Sequence, residues 1–321
     1  MYITASSTIS HQATFRNKGF SSVLSELNQP SAIQHPDYNP FIPAMTRRRM
    51  SDVLKMAMTC TIDCMEQSGI GQPDAIIVGT SMGCNTFTKN FLDKIIAADD
   101  GPVSPTNFIV STHNTIAGQI SLLLGNQHYN MTHTQNNLSF EQALIDGMLC
   151  MNDGCYHVLV GAADEMENAL YSMYARLNNP DLLAACGASF FILSPEKPDT
   201  ASIRLVDVGS FGLVDGLSQI TSEFLHSNDL SGGDIDLVLY SCRDQKIIDE
   251  WSELFSTGTL FDYEKICGTY FTNSGFALDY GIDILSHAAH PVFGENIRRI
   301  LICNNTIPEN LGLILIDTKI G

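Results

Sequence analysis

The sequence has few positive charges and no long apolar run. Seventeen lysines and arginines stand against 35 aspartates and glutamates, which gives a net charge of −18. This excess of negative charge argues against nucleic acid and anionic membranes as partners. No stretch of about 18 apolar residues occurs, so no membrane span is expected. The N-terminus lacks the basic region and apolar run of a signal peptide, and we therefore expect a cytoplasmic protein.

The nine cysteines lack any regular spacing. None forms a C-x-x-C pair, and no cysteine or histidine pair has metal-ligand spacing, so we expect no metal site. Nor is there a G-x-S-x-G, Walker or dinucleotide motif, and we expect no cofactor. An odd number of scattered cysteines is typical of small buried side chains in a reducing compartment.

The chain does contain an internal repeat. Residues 73–81 resemble residues 234–241, and each is an apolar run ending in small polar residues, which is typical of a buried parallel strand. A helix, a strand–elbow–helix unit and a strand pair follow each run. The later units lie at 129–151, 157–161 and 188–194, and again at 265–290, 299–304 and 312–317. We predict an α/β fold built from a duplicated βαβαβαββ unit, with an N-terminal half at 1–198 and a C-terminal half at 199–321.

The most informative segment lies between residues 129 and 161. A predicted strand at 129–134 runs into a polar elbow at 135–137, a helix begins at Leu138, and a buried strand follows at 157–161. α/β enzymes commonly mount a nucleophile on such a strand-to-helix elbow. Here the elbow carries the amides of Gln135, Asn136 and Asn137, which are poor nucleophiles. The sequence thus has the strand-to-helix elbow that commonly carries a reactive residue, but the elbow itself has no such residue.

These residues resemble a known family. Residues 132–144, THTQNNLSFEQAL, are similar without gaps to the nucleophile region of β-ketoacyl-acyl-carrier-protein synthases, which reads T-A-C-A/S before a G-x-Q-A-L helix. Residues 48–50, 76–83 and 158–165 resemble other landmarks of that family in the same order. The resemblance is clearest over 40–165 and extends loosely beyond 200. It implies the thiolase-like fold, a layered α-β-α-β-α domain.

The resemblance also implies that the catalytic set is degenerate. The family uses a cysteine thiolate, two histidines and a glycine-rich closing loop. The cysteine falls on Asn137, the first histidine falls within 240–244 beside Cys242, and the second falls on Phe276. The closing loop falls on 304–310, which contains no glycine. None of the catalytic positions is intact.

The favoured function is a catalytically inactive subunit similar to chain-length factors. Such a subunit would act with an active ketosynthase in fatty acid, polyketide or aryl-polyene biosynthesis, as a homo- or heterodimer. An acyl carrier protein would dock mainly on the partner, since the main basic cluster here is 47–49, with a minor one at 298–299. The alternatives are an acyltransferase or decarboxylase with a non-standard site using Cys242 or His133, and a homodimeric scaffold or binding module.

The resemblance finally suggests residues at an interface or acyl tunnel. In the thiolase fold the strand before the elbow pairs across a two-fold axis, so residues 113–135 are expected in a dimer contact. The candidates are His113, His133, Gln135 and Phe140, with a helix-face core position as the alternative for Phe140. Connections around 170–187 and 213–233 are shorter than usual for the family.

Overall fold

The computed structural model describes residues 1–98, 101–103, 105–165, 173, 183–196 and 203–318. Its first half contains a short 3₁₀ turn at Phe20–Ser22. The strands and helices of this half follow in chain order: β1 (Tyr2–Ile9), α1 (Ala44–Arg47), α2 (Asp52–Ser68), β2 (Ala75–Gly79), α3 (Asn85–Ala98), α4 (Thr106–Ile109), α5 (Thr115–Leu124), β3 (Tyr129–His133), α6 (Ser139–Asn152), β4 (Val158–Asp164) and β5 (Gly187–Ser194).

The second half contains a 3₁₀ turn at Gly232–Asp234. Its elements are β6 (Ile203–Gly212), α7 (Leu217–Ser227), β7 (Leu237–Ser241), α8 (Gln245–Leu254), β8 (Thr259–Asp262), α9 (Glu264–Cys267), α10 (Ser274–Leu285), β9 (Ala289–His290), β10 (Gly294–Glu295), β11 (Arg299–Asn304) and β12 (Asn310–Thr318).

Strand order demonstrates the duplication. Within the described ranges, ten strands are connected in the order β3-β2-β4-β5-β1-β6-β12-β11-β7-β8. Only Tyr2 and Ile3 of β1 pair with β6, so the sheet divides there into two groups of five. When the five strands of each group are numbered in chain order, both groups have the same spatial order: third, second, fourth, fifth, first. The same neighbours are parallel and the same neighbours are antiparallel in both groups. The predicted duplicated α/β fold is confirmed.

The apolar side chains form three cores, which lie between five alternating layers of helices and strands. Alternate residues along a strand point to opposite faces. In β4, Val158 and Val160 therefore enter the central core, whereas Leu159 packs outward against α2 and α5. The central core also holds α6 and α10, which separate the two groups of strands. The third core packs α7 and α8 on the outer face of the second group.

One prediction about the second half needs correction, and the predictions about the boundary and the short connections remain open. The strand of the second elbow is not within 265–290 but is β8, and the short helix α9 follows it. Gly268, with φ of 74°, ends α9, so the chain reaches α10 through an irregular segment rather than a tight elbow. The boundary at 198/199 and most of the connection at 170–187 lie outside the described residues, and the connection at 213–233 contains α7.

The described helices include none with both the length and the apolar character needed to cross a membrane.

Candidate functional site

The ends of the strands place the elbow of the first half, and Cys242 and Asn304 of the second half, at one edge of each sheet group. β2, β3 and β4 are parallel, so their carboxyl ends lie at the same edge. In the second half, parallel β7 and β11 end at Ser241 and Asn304. The edge beyond parallel strand ends is the usual place for ligands and catalytic groups in α/β folds. Here the two edges meet at Asn137.

The elbow between β3 and α6 has the geometry that the sequence predicted. Asn136 adopts φ of 51°, in the left-handed region that asparagine tolerates better than most residues. The Ser139 hydroxyl accepts a hydrogen bond from the Gln135 N–H at 2.8 Å and donates to the Asn136 carbonyl at 2.7 Å. These bonds fold the chain back tightly and turn Asn137 inward, where its side chain is fully buried.

Asparagines from the second half surround the Asn137 side chain. The Asn310 amide donates to Asn137 Oδ1 at 2.8 Å, and Asn137 Nδ2 donates to Asn304 Oδ1 at 3.3 Å. Asn304 Nδ2 in turn donates to the Asn137 backbone carbonyl at 2.7 Å. We call Asn137, Asn304 and Asn310 the asparagine cluster. Because both ends of the Asn137 amide are paired, the side chain at the predicted nucleophile position is held in place. An amide group is also a poor nucleophile.

A buried acid lies one helical turn beyond Asn137. Glu141 Oε1 accepts from Asn304 Nδ2 at 2.9 Å, and burial raises the pKa of this carboxyl to about 7, although the bond from Asn304 acts in the opposite direction. Glu141 Oε2 has no hydrogen-bond partner within the described part of the chain. A Cβ at Gly312 would lie 2.5 Å from Glu141 Oε1, so a glycine in β12 makes room for the acid.

Sequence analysis missed Glu141 as a site residue. Its position between Phe140 and Leu144 on the buried side of α6 was the available signal, because an acid among core positions is rarely left without a partner.

Cys242 lies at the edge of the asparagine cluster, without a histidine. Its thiol donates to Asn305 Oδ1 at 3.2 Å, and burial raises its pKa to about 11. The nearby Ser241 hydroxyl bonds to Thr306 at 2.7 Å, and Thr306 donates to Asn304 Oδ1 at 3.0 Å. A thiol with a raised pKa is mostly protonated at neutral pH, which makes it a poor nucleophile.

Phe276 occupies the predicted second-histidine position as a core residue. It is fully buried in α10 and stacks on Tyr280, with 6.0 Å between ring centroids. A phenyl ring offers neither a proton acceptor nor a hydrogen-bond donor to a reacting carbonyl.

The four interface or tunnel candidates are not brought together. His113 is exposed, with Nε2 3.2 Å from the Ser81 carbonyl. His133, near the open edge of β3, pairs through Nε2 with Asp146 at 2.8 Å, and Gln135 is exposed on the elbow. Phe140 is fully buried beside Phe191 at 5.6 Å between centroids. Their roles at an interface or tunnel stay predictions.

A second buried acid supports the loop after β2. Asp164 Oδ1 accepts from the Thr80 hydroxyl at 2.9 Å and from the N–H groups of Ser81 and Met82 at 2.9 and 2.7 Å. Burial raises the pKa of this carboxyl to about 6 against the effect of these bonds. The residue thus fixes the loop between β2 and α3 at the same edge as the elbow.

Comparison with known families agrees with the order of these landmarks. The family described as "Beta-ketoacyl synthase, N-terminal domain" matches residues 24–201, more than half of the chain. The chain belongs to the β-ketoacyl synthase family. A search among curated proteins finds no match.

Solved structures of this family share the fold over nearly the whole chain. The ishigamide ketosynthase/chain length factor has 15% identity and a TM-score of 0.77, with 100% of this chain and 99% of that chain covered. The ketosynthase ApeO in complex with its chain length factor ApeC, from Xenorhabdus doucetiae, has 12% identity and a TM-score of 0.78, with 99% of this chain and 98% of that chain covered. The AntDE:AntF complex of a type II ketosynthase with its acyl carrier protein has 13% identity and a TM-score of 0.76, with 99% of each chain covered. At such identities these likenesses show the thiolase-like ketosynthase fold.

Proposed function

We propose that this β-ketoacyl synthase family member is a chain-length-factor-like subunit, inactive in condensation by itself. The observation that carries the proposal is the asparagine cluster. The Asn137 amide is paired at both ends by Asn304 and Asn310, and it cannot form the thioester that condensation needs. Phe276 and Cys242 stand at the predicted histidine positions, so the imidazoles that assist decarboxylation and stabilise the enolate in condensing enzymes are not supplied there.

The proposed partner is an active ketosynthase that pairs along β3. Within the described residues β3 pairs only with β2, which leaves its other edge open. Tyr129 and Met131 on this strand remain 42% and 39% exposed. Open edges with apolar side chains readily pair with another strand. Two of the similar structures contain a ketosynthase together with a chain length factor, which supports a heterodimer here.

Charge supports docking of the carrier protein on the partner. The chain carries a net charge of −18, and the cluster of Arg47, Arg48 and Arg49 is its main run of positive charge. Arg47 is already hydrogen bonded to Asn39 at 2.7 Å. An acidic carrier protein would therefore be repelled by most of this surface. The subunit would act in biosynthesis of a fatty acid, polyketide or aryl polyene by shaping the site in which its partner extends the chain.

Reconstitution tests the proposal. The chain is co-expressed with a ketosynthase and an acyl carrier protein encoded near it, and assembly mass and extended acyl products are measured with and without this subunit. We expect a complex of the two subunits, no extension by this chain alone, and products of defined length from the pair. Extension by the isolated chain, or an acyl group on the asparagine cluster, would reject inactivity. Identical products with and without the subunit would reject the partner role.

A further inference from the structure

The sheet register places a histidine directly opposite a cysteine, away from the asparagine cluster. β1 and β5 are antiparallel, and Ile9 pairs with Ala188. Continuing that register by two residues sets His11 opposite Cys186. The two residues lie just beyond the ends of β1 and β5, at the edge where the elbow lies, because Gly187 at the start of β5 pairs with Asp164 at the end of β4.

The imidazole of His11 is oriented towards the thiol of Cys186. His11 Nε2 lies 3.5 Å from Cys186 Sγ and accepts the backbone N–H of Cys186 at 3.2 Å. A backbone N–H can only donate, so Nε2 carries a lone pair and the hydrogen of the neutral ring is on Nδ1. Nδ1 then donates to the Ser31 hydroxyl at 3.2 Å. The three groups thus form a chain of thiol, base and orienting hydroxyl.

The surroundings favour a neutral base beside a partly exposed thiol. His11 is buried, which lowers its pKa and keeps the ring uncharged near neutral pH. Cys186 is partly exposed, unlike most cysteines of the chain. Groups coupled electrostatically to the pair include His35, beside His11, and Tyr38 and Tyr270, beside Cys186.

We propose that Cys186 is a nucleophilic thiol that His11 activates to accept an acyl group from a thioester. The Cys186 proton passes to the lone pair of His11 Nε2, which gives up the bond from the Cys186 backbone N–H, and the thiolate attacks the acyl carbonyl carbon. The bond from that carbon to the donor sulfur then breaks, and the departing thiolate takes the proton from His11. One thioester is lost and one is formed, so the exchange needs no oxidant, metal or added energy source.

The geometry fits the pattern expected for such a step. A nucleophile within reach of a base, with the base held by a third group, is the structural signature of an activated thiol. Cys242 has no imidazole among its described hydrogen-bond partners, and its thiol bonds to Asn305 instead. The inference goes beyond the proposed function, because a subunit that only shapes a partner's product needs no acyl-accepting thiol.

The test uses the isolated full chain and two acyl donors that distinguish free from carrier-bound thioesters. Octanoyl-coenzyme A and octanoyl-loaded acyl carrier protein are incubated separately with the wild type, and adducts are mapped by mass spectrometry of intact protein and peptides. We expect a single octanoyl group on Cys186. Cys186→Ala should remove it. Cys155→Ala is the matched control, because Cys155 is also partly exposed but its thiol lies beside Cys150.

Three further variants examine the base. His11→Gln keeps hydrogen bonding but cannot take a proton, and should slow acylation by about tenfold or more. Ser31→Ala, at an exposed position, should slow it less, and Ser31→Thr should restore the rate. Thermal unfolding of each variant shows whether the fold is kept.

Absence of an adduct on Cys186 with both donors would overturn the proposal. So would an unchanged rate in a folded His11→Gln variant. If that variant does not fold, an unchanged rate in Ser31→Ala decides against the oriented base. These outcomes concern the isolated chain, so they are separate from the reconstitution with a ketosynthase.

Discussion

Replacing Glu141 by glutamine should stabilise the protein at alkaline pH. The carboxyl has a pKa of about 7 in the fold, against an ordinary value of 4.5. The folded chain therefore keeps a proton that the unfolded chain loses, and stability falls as pH rises from about 4.5 to about 7. A pKa difference of one corresponds to about 1.4 kcal/mol, so the loss in the free energy of unfolding reaches about 3 kcal/mol by pH 8. Glutamine stays neutral throughout and avoids this loss.

The measurement is urea unfolding of wild type and Glu141→Gln between pH 5 and pH 8. The difference in unfolding free energy should grow with pH towards about 3 kcal/mol in favour of the variant. The unfolding free energy of the variant is compared with that of the wild type at each pH, so that contributions common to both proteins cancel. Burial also raises the pKa values of Asp164 and Asp279 to about 6, and both groups titrate in each protein. Glu253→Gln, on the exposed surface of α8, is the matched control and should change stability by less than about 0.5 kcal/mol.

One result would refute the reasoning about burial. If Glu141→Gln is less stable than wild type by a similar amount at every pH, the acid is ionised and stabilised in the fold. The Oε2 atom would then have a partner, for which the buried Ser274 hydroxyl is the candidate.

Three other changes test the surroundings of the site. Phe140→Ala should lower stability by about 3 kcal/mol, because the ring is buried against Phe191, and longer products from the reconstituted pair would instead assign it to a tunnel. Gly312→Ala should destabilise the chain, and less so in a Glu141→Ala background, because the new Cβ would lie 2.5 Å from the Glu141 carboxylate; additive unfolding energies would contradict this contact. Met131→Arg should separate the proposed pair in light scattering, whereas an unchanged assembly mass would place the interface elsewhere.

The strand-and-helix framework was largely predictable because its signals are local. The apolar run at 75–79, the period of α2 and the elbow before α6 each depend on a short stretch of sequence, and each was predicted to within a few residues. The second elbow was misplaced because α9 ends at Gly268 and a further loop precedes α10. A short helix of four residues gives too weak a periodic signal to be read from sequence.

The chemistry of the site depends on contacts that sequence patterns do not report. Glu141 and Asn304 are 163 residues apart, and His11 and Cys186 are 175 apart. Asn304 was predicted as the end of a strand and the start of a closing loop, and nothing local shows that its amide reaches Asn137. Such pairs can be identified only when the register of the strands and the packing of the two halves against each other are known.

The asparagine cluster has an evolutionary consequence. A change of Asn137 to cysteine, the residue predicted at that position in condensing members of the family, would leave the buried amide nitrogen of Asn310 without its acceptor. Asn304 would keep its bonds to Glu141, to Thr306 and to the backbone carbonyl of residue 137. An unpaired buried polar group costs about 1–3 kcal/mol, so the first step back would weaken the fold before it restored any chemistry. Reversion would therefore need a compensating substitution at Asn310, in the other half of the chain, and descendants of this chain are expected to diversify around an amide at this position rather than regain a thiol.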